Sequence, residues 1–497
     1  MKKIMYSLFV LLVLFTGCKK EIEETPLEST QDVTHRYIRK NAHSPEAKKD
    51  LEALDKAIGI MKSKGCDDPL SWYYQGAIHW IPDSIAGKNK LCDSYQTSKN
   101  LKTAWDNCTH LGKGEGIHFL VWHRMYIYHF EKIVRKLSGD NEFALPYWGY
   151  TNEQDSINQR TLPSPFRDKK SNLYQFARVD SLLNGLPISG DAVRGLDLSK
   201  LNEYTTYALY NKNINEAPHG LMHDYIGFGN DTLGKLKYNE IWQQKTDGMM
   251  AEVPTAAFDP IFWLHHSNID RIWQQWTNSA NGQQVLIDEL KKAPWDYTFF
   301  DENGKKVTYT IEQVVAMLYK MDYDFDDTKV QPKNLPQNQR VVFSTQNYEK
   351  GDTLSVSSQK VGLNKDTKIS LANTKGKNVK LLGAKNKTGE MLILDITVSF
   401  TKAPKGNFEV YLNLPSNVKA TPESKHFAGR MNFFGANHTH AGHKAAKKMT
   451  KDFSFDITNE ALDTDAMGKP VFNISILKFN GSKADDIKIE KIAVLKQ

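Results

Sequence analysis

Two histidine-rich stretches with helical periodicity constrain this chain more than any other feature of its sequence. Residues 108–131, CTHLGKGEGIHFLVWHRMYIYHFE, contain four histidines, and residues 259–276, DPIFWLHHSNIDRIWQQW, contain an adjacent pair. In the first stretch, apolar side chains recur at helical spacing as far as Leu137. In the second, Asp259-Pro260 is typical of a helix start. We therefore predict two amphipathic helices that carry these histidines.

The chain changes character near residue 335. Helical periodicity dominates before it, whereas alternating, β-branched segments such as EMLILDITVSFTK and NFEVYLNLP follow it and are typical of antiparallel strands. We predict an α+β protein with a mainly helical domain over residues 44–327. A polar, proline-containing linker over 328–340 leads to an antiparallel β-sandwich or barrel domain over 341–497.

The N-terminus has the pattern of an export signal. Lys2 and Lys3 precede a twelve-residue apolar run, IMYSLFVLLVLF, which is too short to span a bilayer. Its end at Thr16-Gly17-Cys18 resembles a bacterial lipoprotein signal, in which the cysteine is lipidated; an ordinary secretory signal is the alternative. We predict a signal peptide over 1–17, a flexible tether over 18–43, and a protein anchored only through lipid, in the periplasm or at the cell surface.

The charge distribution bears on whether the protein binds nucleic acid, and the number of cysteines bears on their pairing. The formal charge is +7, but basic residues are interleaved with acids, so binding of nucleic acid is not implied. With Cys18 used for lipid, three cysteines remain: Cys66, Cys92 and Cys108. An odd number in an oxidising compartment means that one is free or otherwise committed.

His219 and His223, in EAPHGLMHDYIG, lie four residues apart, so their imidazoles share one helix face and can bind one metal. A zinc protease needs glutamate directly after the first histidine, and Gly220 stands there. A di-iron site needs Glu-x-x-His pairs, which are missing. An all-imidazole site suits copper, zinc or nickel; for this pair alone, two surface histidines are the alternative.

Six histidines divide into two sets of three. These are His79, His110 and His123, and His219, His223 and His266. Three neutral imidazoles leave open coordination faces, at which copper cycles between two oxidation states. Two adjacent Cu(I) ions can give dioxygen two electrons, and an o-diphenol can return two when it becomes a quinone. That chemistry explains the need for two matched sites.

The two helical stretches resemble the copper-binding helices of the type-3 copper family, which contains tyrosinases, catechol oxidases and molluscan haemocyanins. QGAIH at 75–79 and PHGLMH at 218–223 resemble the family segments that supply the first ligand and the helical pair. The resemblance implies a four-helix dicopper core that binds two copper ions. It places copper A on His79, His110 and His123, and copper B on His219, His223 and His266.

CTH at 108–110 resembles the motif of fungal and molluscan members in which a cysteine sulfur is bonded to a ligand histidine. This implies a thioether between Cys108 and His110 and leaves Cys66 and Cys92 for a disulfide; a buried free thiol is the alternative. In the family the second copper A ligand usually lies nine residues before the ligand in WHR. Here His110 lies thirteen before it, so we infer a four-residue loop insertion and expect His118 to line or buttress the site.

Two further histidines lie close to predicted ligands. His265 directly precedes one and should not share its direction, so we expect it behind the ligands, in contact with them rather than with metal. His129 lies six residues after His123, on a different helix face, and is predicted to be in the core.

In this family, a glutamate upstream of the helical pair and an asparagine after its first histidine are proposed to hold a water that takes the phenol proton. Glu216 and Gly220 stand at the corresponding places. The glycine implies a site weighted toward o-diphenols that also hydroxylates monophenols. Glu216 as a helix N-terminal acid is the alternative.

The resemblance therefore implies a monomeric phenol oxidase whose partners are dioxygen and small phenols or catechols. A haemocyanin-like dioxygen carrier is the alternative within the family. A non-catalytic surface binding protein built on the β domain is the alternative outside it.

The C-terminal part resembles that of plant polyphenol oxidases in the segment FAGRMNFFGANHTHAGHKAAKK, and MDYDFDD resembles the stretch that closes their catalytic domain. In that family the C-terminal domain covers the copper site and keeps the enzyme latent. We predict that Phe433 and Phe434 form a mobile apolar tip that plugs a phenol-shaped pocket. His438, His440 and His443 are predicted either to hand copper to the site or to belong to a solvated basic loop.

Overall fold

The computed structural model describes most of the chain from residue 35 onward. The described residues are 35–81, 92, 108, 115–151, 156–188, 191–228, 236–285, 287–295, 297–318, 320–330, 352–372, 391–402, 404–436, 448–464, 466, 471–483 and 486–496. Within these ranges no helix is both long and apolar enough to cross a membrane. The predicted signal peptide, His110, the strand predicted at RVVFSTQ and His438, His440 and His443 lie outside the described residues.

Helices dominate the first part of the described chain. Those of six residues or more are α1 Lys48–Ser63, α2 Trp72–His79, α3 Phe119–Ser138, α4 Tyr207–Ile214, α5 Leu221–Gly227, α6 Ile261–Asn278, α7 Ile311–Leu318 and α8 Thr458–Asp463. A π-helical segment, Asn215–Gly220, joins α4 to α5. Shorter helices span Ser156–Gln159, Asp180–Leu183, Asp191–Arg194, Val253–Ala256 and Ile287–Lys291, and 3₁₀ turns span Pro45–Ala47, Glu115–His118, Ser164–Phe166, Leu201–Glu203 and Met249–Ala251.

Strands are short in the first part and long in the second. The short ones are β1 Tyr37–Arg39, β2 Lys237–Asn239, β3 Gln244–Thr246, β4 Tyr297–Phe300, β5 Lys306–Tyr309 and β6 Tyr323–Phe325. The others are β7 Asp352–Ser357, β8 Val361–Gly362, β9 Thr367–Ala372, β10 Leu392–Phe400, β11 Lys405–Leu412, β12 Phe427–Met431, β13 Met449–Asp456, β14 Val471–Lys483 and β15 Lys488–Lys496.

Helices α3 and α6 form the centre of the helical domain, because both are buried on nearly all sides, including their polar residues. Phe130 of α3 stacks on Trp263 of α6 with ring centroids 3.6 Å apart. Helix α3 ends where predicted, since Gly139 adopts the left-handed conformation (φ 75°) that closes a helix. Asp259 accepts a hydrogen bond from the backbone N–H of Ile261 at the start of α6.

Strand β1 corrects the predicted tether, which was placed over residues 18–43. β1 pairs in parallel with β6, and the Arg39 side chain is fully buried. Its guanidinium donates to Glu131 of α3 and to Asp270 of α6, and it lies 3.6 Å from the ring centroid of Tyr323. A buried cation is stable only when it is paired in this way, so the segment from residue 35 belongs to the folded domain.

Two antiparallel sheets pack face to face in the second part of the chain. One has the order β13-β10-β15-β7 with β8 also on β15, and the other has the order β12-β11-β14-β9. Alternate side chains of both sheets fill one apolar core between them. This confirms the predicted α+β class. Strands β7, β10, β11, β14 and β15 fall on TLSVSS, EMLILDITVSFTK, NFEVYLNLP, PVFNISILKFN and IKIEKIAVL, segments whose alternation predicts strands, whereas β8, β9, β12 and β13 were not predicted.

The two parts contact each other beside α4, α5 and the π-helical segment. Asn213, at the end of α4, donates to the backbone carbonyl of Ser454 in β13 (3.1 Å). Arg194 pairs with Glu409 of β11 (2.7 Å), and Lys200 pairs with Glu460 of α8 (2.6 Å). The β12–β13 end of the sandwich therefore lies against the helices that carry the histidines.

Candidate metal centre

The first histidine cluster contains His79, His123 and Cys108. His79 ends α2 and His123 lies in the first turns of α3; with Cys108, their candidate ligand atoms all lie within 4.8 Å of one another. Cys108 is buried, with Sγ 3.6 Å from Nε2 of His123. His110, the third predicted ligand here, lies outside the described residues.

The second cluster contains His219, His223, His265 and His266, all fully buried. His219 comes from the π-helical segment, His223 from α5 and the adjacent pair from α6. The four candidate ligand nitrogens again lie within 4.8 Å of one another. All three histidines predicted for copper B are therefore brought together.

The two clusters form one centre, because their rings are in contact. The His123 and His266 rings stack with centroids 4.2 Å apart and an interplanar angle of 6°. The His219 ring lies 5.0 Å from that of His266 and 6.2 Å from that of His123. Two metal ions bound by these clusters would be neighbours.

Backbone carbonyls orient most of the ligand rings. The Nδ1 atoms of His79, His123 and His223 lie 3.1, 2.8 and 2.7 Å from the carbonyl oxygens of Val253, Phe119 and Met250. Since a carbonyl only accepts, the proton of each ring sits on Nδ1. Nε2 then keeps its lone pair for a metal, which is the arrangement that supporting hydrogen bonds give to ligand histidines.

Burial also keeps these rings neutral. It lowers the pKa of His123 and of His223 to about 3, and lowers the pKa of His79 and of His266 well below the ordinary value. A metal binds the neutral imidazole, so the site is in its binding form at neutral pH.

His266 supplies a direct test of whether a metal fits. Neither of its ring nitrogens has a hydrogen-bond partner among the described residues, and the same is true of Nε2 of His223. An unsatisfied buried polar group is costly, and a metal bound at these atoms would remove the cost. The donor set, which is imidazole with one thiol nearby, suits copper.

His265 lies closer to the centre than the sequence predicted. Its ring stacks on His219 (5.3 Å) and lies 4.9 Å from His223, because these two histidines reach across to both members of the α6 pair. Nδ1 of His265 contacts the hydroxyl of Tyr150 at 2.9 Å. A hydroxyl can donate or accept, so this contact does not fix the tautomer as the carbonyls do elsewhere.

His118 does not line the centre. Nε2 donates to the carbonyl oxygen of Ala293, and Nδ1 lies 2.6 Å from the hydroxyl of Tyr297. Since both nitrogens are engaged, His118 has no lone pair left for a metal. Of the two roles predicted for it, lining the site is therefore wrong; His118 instead directly precedes α3, the helix that carries His123.

His129 lies in the core, as predicted. Its ring stacks on Phe299 (5.3 Å), Nε2 lies 3.2 Å from the Tyr309 hydroxyl, and burial lowers its pKa to about 3.

Replacing His129 with phenylalanine should reduce the acid sensitivity of the fold. A histidine whose folded-state pKa is depressed contributes stability above pH 6.5 that is lost as the pH falls toward 3, at about 1.4 kcal/mol per pH unit. At pH 7 the free energy of unfolding of the variant should be about 1 kcal/mol below that of the parent, because the contact with Tyr309 is lost. At pH 4.5 it should match or exceed that of the parent. Denaturant unfolding of the copper-free proteins at both pH values measures this. If the parent and the variant differ in unfolding free energy by the same amount at both pH values, His129 is not the buried neutral group described here.

The C-terminal domain holds Glu216 and occupies the space beside Gly220. Oε2 of Glu216 accepts from Nζ of Lys451 (2.9 Å) and from the backbone N–H of Asn432 (3.1 Å). A Cβ atom at Gly220 would overlap Oδ1 of Asn432. Sequence reasoning missed Asn432 and Lys451, although Asn432 lies in the segment whose resemblance was noted.

Phe434 and Phe433 point in opposite directions. The Phe434 ring stacks on His223 (4.1 Å, 17°) and lies edge-on to His219 (5.7 Å). Phe433 instead packs inside the sandwich, against Phe400, Phe408 and Phe453. Of the two phenylalanines predicted to form the plug, only Phe434 faces the centre. The prediction for Phe433 is wrong, because the chain turns at Phe433, whose carbonyl oxygen accepts from the backbone N–H of Ala436, and the Phe433 ring enters the sandwich core.

Comparison with known proteins places this geometry among phenol-oxidising copper proteins. The family model for the common central domain of tyrosinase matches residues 69–181 and 191–279. Tyrosinase HcTyr1 of Hahella sp. (strain CCB-MM4) is 25% identical over 441 residues, covering 82% of this chain and 88% of that protein. The chloroplastic polyphenol oxidase of Malus domestica is 26% identical over 481 residues, covering 88% and 74%.

Two solved structures share the whole architecture. Latent apple tyrosinase superposes with a TM-score of 0.66 at 20% identity, covering 95% of this chain and 99% of that one. A latent aurone synthase superposes with a TM-score of 0.65 at 19% identity, covering 95% and 92%. At these identities the likeness establishes the fold of both parts of the chain.

Proposed function

We propose that this chain, whose residues 69–181 and 191–279 match the family model of the common central domain of tyrosinase, oxidises o-diphenols to o-quinones with dioxygen at a dicopper centre. The observation that carries the proposal is the contact between two buried imidazole clusters through His123 and His266. When bound there, two copper ions supply the reversible two-electron chemistry that couples dioxygen to phenol oxidation.

The protein's own groups prepare the site for this chemistry. Buried neutral rings such as His123 and His223 would hold copper without a carboxylate ligand, so that neither oxidation state of the metal would be strongly favoured. Helices α3 and α6 are rigid elements that fix the ligand rings relative to each other. The aromatic groups around them, including Phe262 at 4.2 Å from His266, keep water from the centre.

Quinone formation from catechol tests the function. The copper-loaded full chain should produce o-quinone while consuming dioxygen, and the same protein loaded with zinc should not. A haemocyanin-like carrier would instead bind dioxygen reversibly and leave catechol unchanged. A copper-loaded chain that binds dioxygen but does not turn over o-diphenols, even after cleavage between residues 331 and 350, would contradict the oxidase.

The preference among phenols is proposed to lie with o-diphenols. A monophenol must lose its proton near the metal, and Glu216 is the carboxylate that lies upstream of the His219–His223 pair. The contacts from Lys451 and Asn432 engage Oε2 of this carboxylate. In the full-length chain we therefore expect o-diphenol oxidation to exceed monophenol hydroxylation.

The C-terminal domain is proposed to act as a lid. Phe434 stacks on a ligand ring of the second cluster, at the position that a flat phenol ring would need to approach the metals. The two relatives named as latent have the same two-part architecture over nearly the whole chain. Displacement of this domain would expose the centre.

The protein is proposed to be exported and anchored to a membrane through lipid. Its proposed partners are dioxygen and small phenols, and it is proposed to be a monomer. The segment IMYSLFVLLVLF-TGC supports a lipoprotein signal. The disulfide between Cys66 and Cys92 supports an oxidising compartment. Radiolabelled palmitate should be incorporated into the bacterially expressed chain and be lost with Cys18→Ala.

A thioether between Cys108 and His110 is the proposed fate of the third cysteine, which lies beside the first cluster. After loading with copper and exposure to dioxygen, tryptic peptide 103–113 should lack two hydrogens, and Cys108 should resist alkylation. Fragment ions would locate the link, since a bond to His123 would instead join this peptide to another. Alkylation of Cys108 in active enzyme would refute both a link to His110 and a link to His123.

A further inference from the structure

Gly220 forms a socket for one side chain of the C-terminal domain. A Cβ atom there would overlap Oδ1 of Asn432, approach its Cγ to 3.0 Å and lie 3.1 Å from the carbonyl oxygen of Asn215. Gly220 is itself buried, within the junction of the π-helical segment and α5. The absence of a side chain at residue 220 is therefore what allows Asn432 to reach the helices.

Hydrogen bonds hold the Asn432 side chain rigidly in this socket. Nδ2 donates to Asp224 of α5 (2.8 Å) and to Asn407 of β11, and Oδ1 accepts from the backbone N–H of Phe434 (2.8 Å). The side chain cannot rotate away from a new group at Gly220 without breaking these bonds. Because one of them is to Phe434, the socket also sets the backbone that places the plug on His223.

Lys451 connects the same contact to Glu216. Its Nζ donates to Oε2 of Glu216 (2.9 Å) and to the backbone carbonyl of Asn432 (2.7 Å), and the Asn432 N–H donates to the same Oε2. Lys451 is about one-fifth exposed and Glu216 is buried. The carboxylate is thus enclosed by two groups of the C-terminal domain.

We propose that Gly220, Glu216 and Asp224 form a docking socket for Asn432 and Lys451. While this contact is made, Phe434 stays on His223 and the Glu216 carboxylate stays bonded to the C-terminal domain. The inference rests on the proposed lid and extends it to substrate preference. Undocking removes the plug and releases the carboxylate in one step. The released enzyme then gains activity on monophenols, which need a proton acceptor, by a larger factor than on o-diphenols.

The socket is tested with Gly220→Ala in the full chain, and docking is read by hydrogen exchange of the peptide containing residues 427–436, independently of copper and activity. The added methyl group should speed exchange in this peptide about tenfold. Gly116→Ala is the matched control, because a Cβ at Gly116 meets no atom within 4 Å, and it should leave exchange unchanged.

Asn432→Ala shows whether the methyl group acts through Asn432. This variant removes the side chain from the socket, so it should also speed exchange, and Gly220→Ala should add little in that background. Since Asn432→Ala adds no atoms, it remains informative if Gly220→Ala fails to fold. Parent-like exchange in Asn432→Ala, or an equal effect of Gly220→Ala in both backgrounds, would overturn the socket.

Lys451→Met tests the coupling to Glu216. In the copper-loaded chain it should raise the rate on a monophenol relative to catechol by about fivefold, and Lys448→Met, which removes a neighbouring lysine that pairs with Glu490, should not. An unchanged ratio would overturn the coupling. If the socket variants speed exchange but catechol turnover stays the same, the socket stands and the lid function fails.

Discussion

Replacing His266 with alanine should abolish catechol oxidation and leave the protein with about half of its copper. Both ring nitrogens of His266 lack hydrogen-bond partners in the described part of the chain, so the nitrogen that carries the lone pair is available to a metal. The His123 cluster should keep its ion, while the second cluster loses a ligand from the α6 side.

The experiment separates metal binding from folding through the copper-dependent rise in the unfolding midpoint. A ligand that binds only the native state stabilises it by mass action, so this rise should shrink in His266→Ala. His129→Phe is the matched control, because His129 is an equally buried imidazole outside both clusters, and its copper content should match that of the parent. Full copper in His266→Ala would remove His266 from the ligand set.

The positions of the helices and most of the metal centre were predictable from the sequence, because local patterns determine them. Spacing of four places His219 and His223 on one side of the chain whatever surrounds them. Apolar periodicity places α3 and α6 in the core, so that their histidines are buried. The ligand clusters follow from these two facts together.

Long-range contacts were not predictable. The sequence around Arg39 is polar and resembles a tether, and only its pairing with Glu131 and Asp270, 92 and 231 residues away, makes it part of the core. The Asn432–Gly220 contact is of the same kind. From the sequence, Gly220 is only the place where the family has an asparagine, whereas in the structure the space beside it is filled by Asn432 of the C-terminal domain.

The direction in which neighbouring side chains point was also not predictable from the sequence. The pair Phe433-Phe434 indicates two apolar groups, but not which one enters the sandwich core. Similarly, His265 and His266 are adjacent, and only the position of His219 brings both rings into the second cluster. Such directions depend on the packing partner rather than on residue type.

Phe434→Ala in the full-length chain should raise catechol turnover without changing copper content. An aromatic contact such as the stack on His223 contributes about 0.5–1.5 kcal/mol beyond burial. Its loss would raise the open population about 2- to 10-fold if the lid limits access. The rise should appear in kcat/KM, because a closed lid excludes substrate without changing the turnover of the open form, and cleavage between residues 331 and 350 should raise it at least as much.

Phe433→Ala provides the contrast that identifies the mechanism. Phe433 is buried in the sandwich, so its truncation should destabilise the C-terminal domain by about 3–5 kcal/mol, whereas Phe434→Ala should cost no more than the stacking contribution of about 0.5–1.5 kcal/mol. If Phe434 is the plug, activity rises in Phe434→Ala with the domain intact. If both variants activate only in proportion to their loss of stability, loosening of the domain as a whole, rather than removal of one ring from His223, controls access to the copper centre.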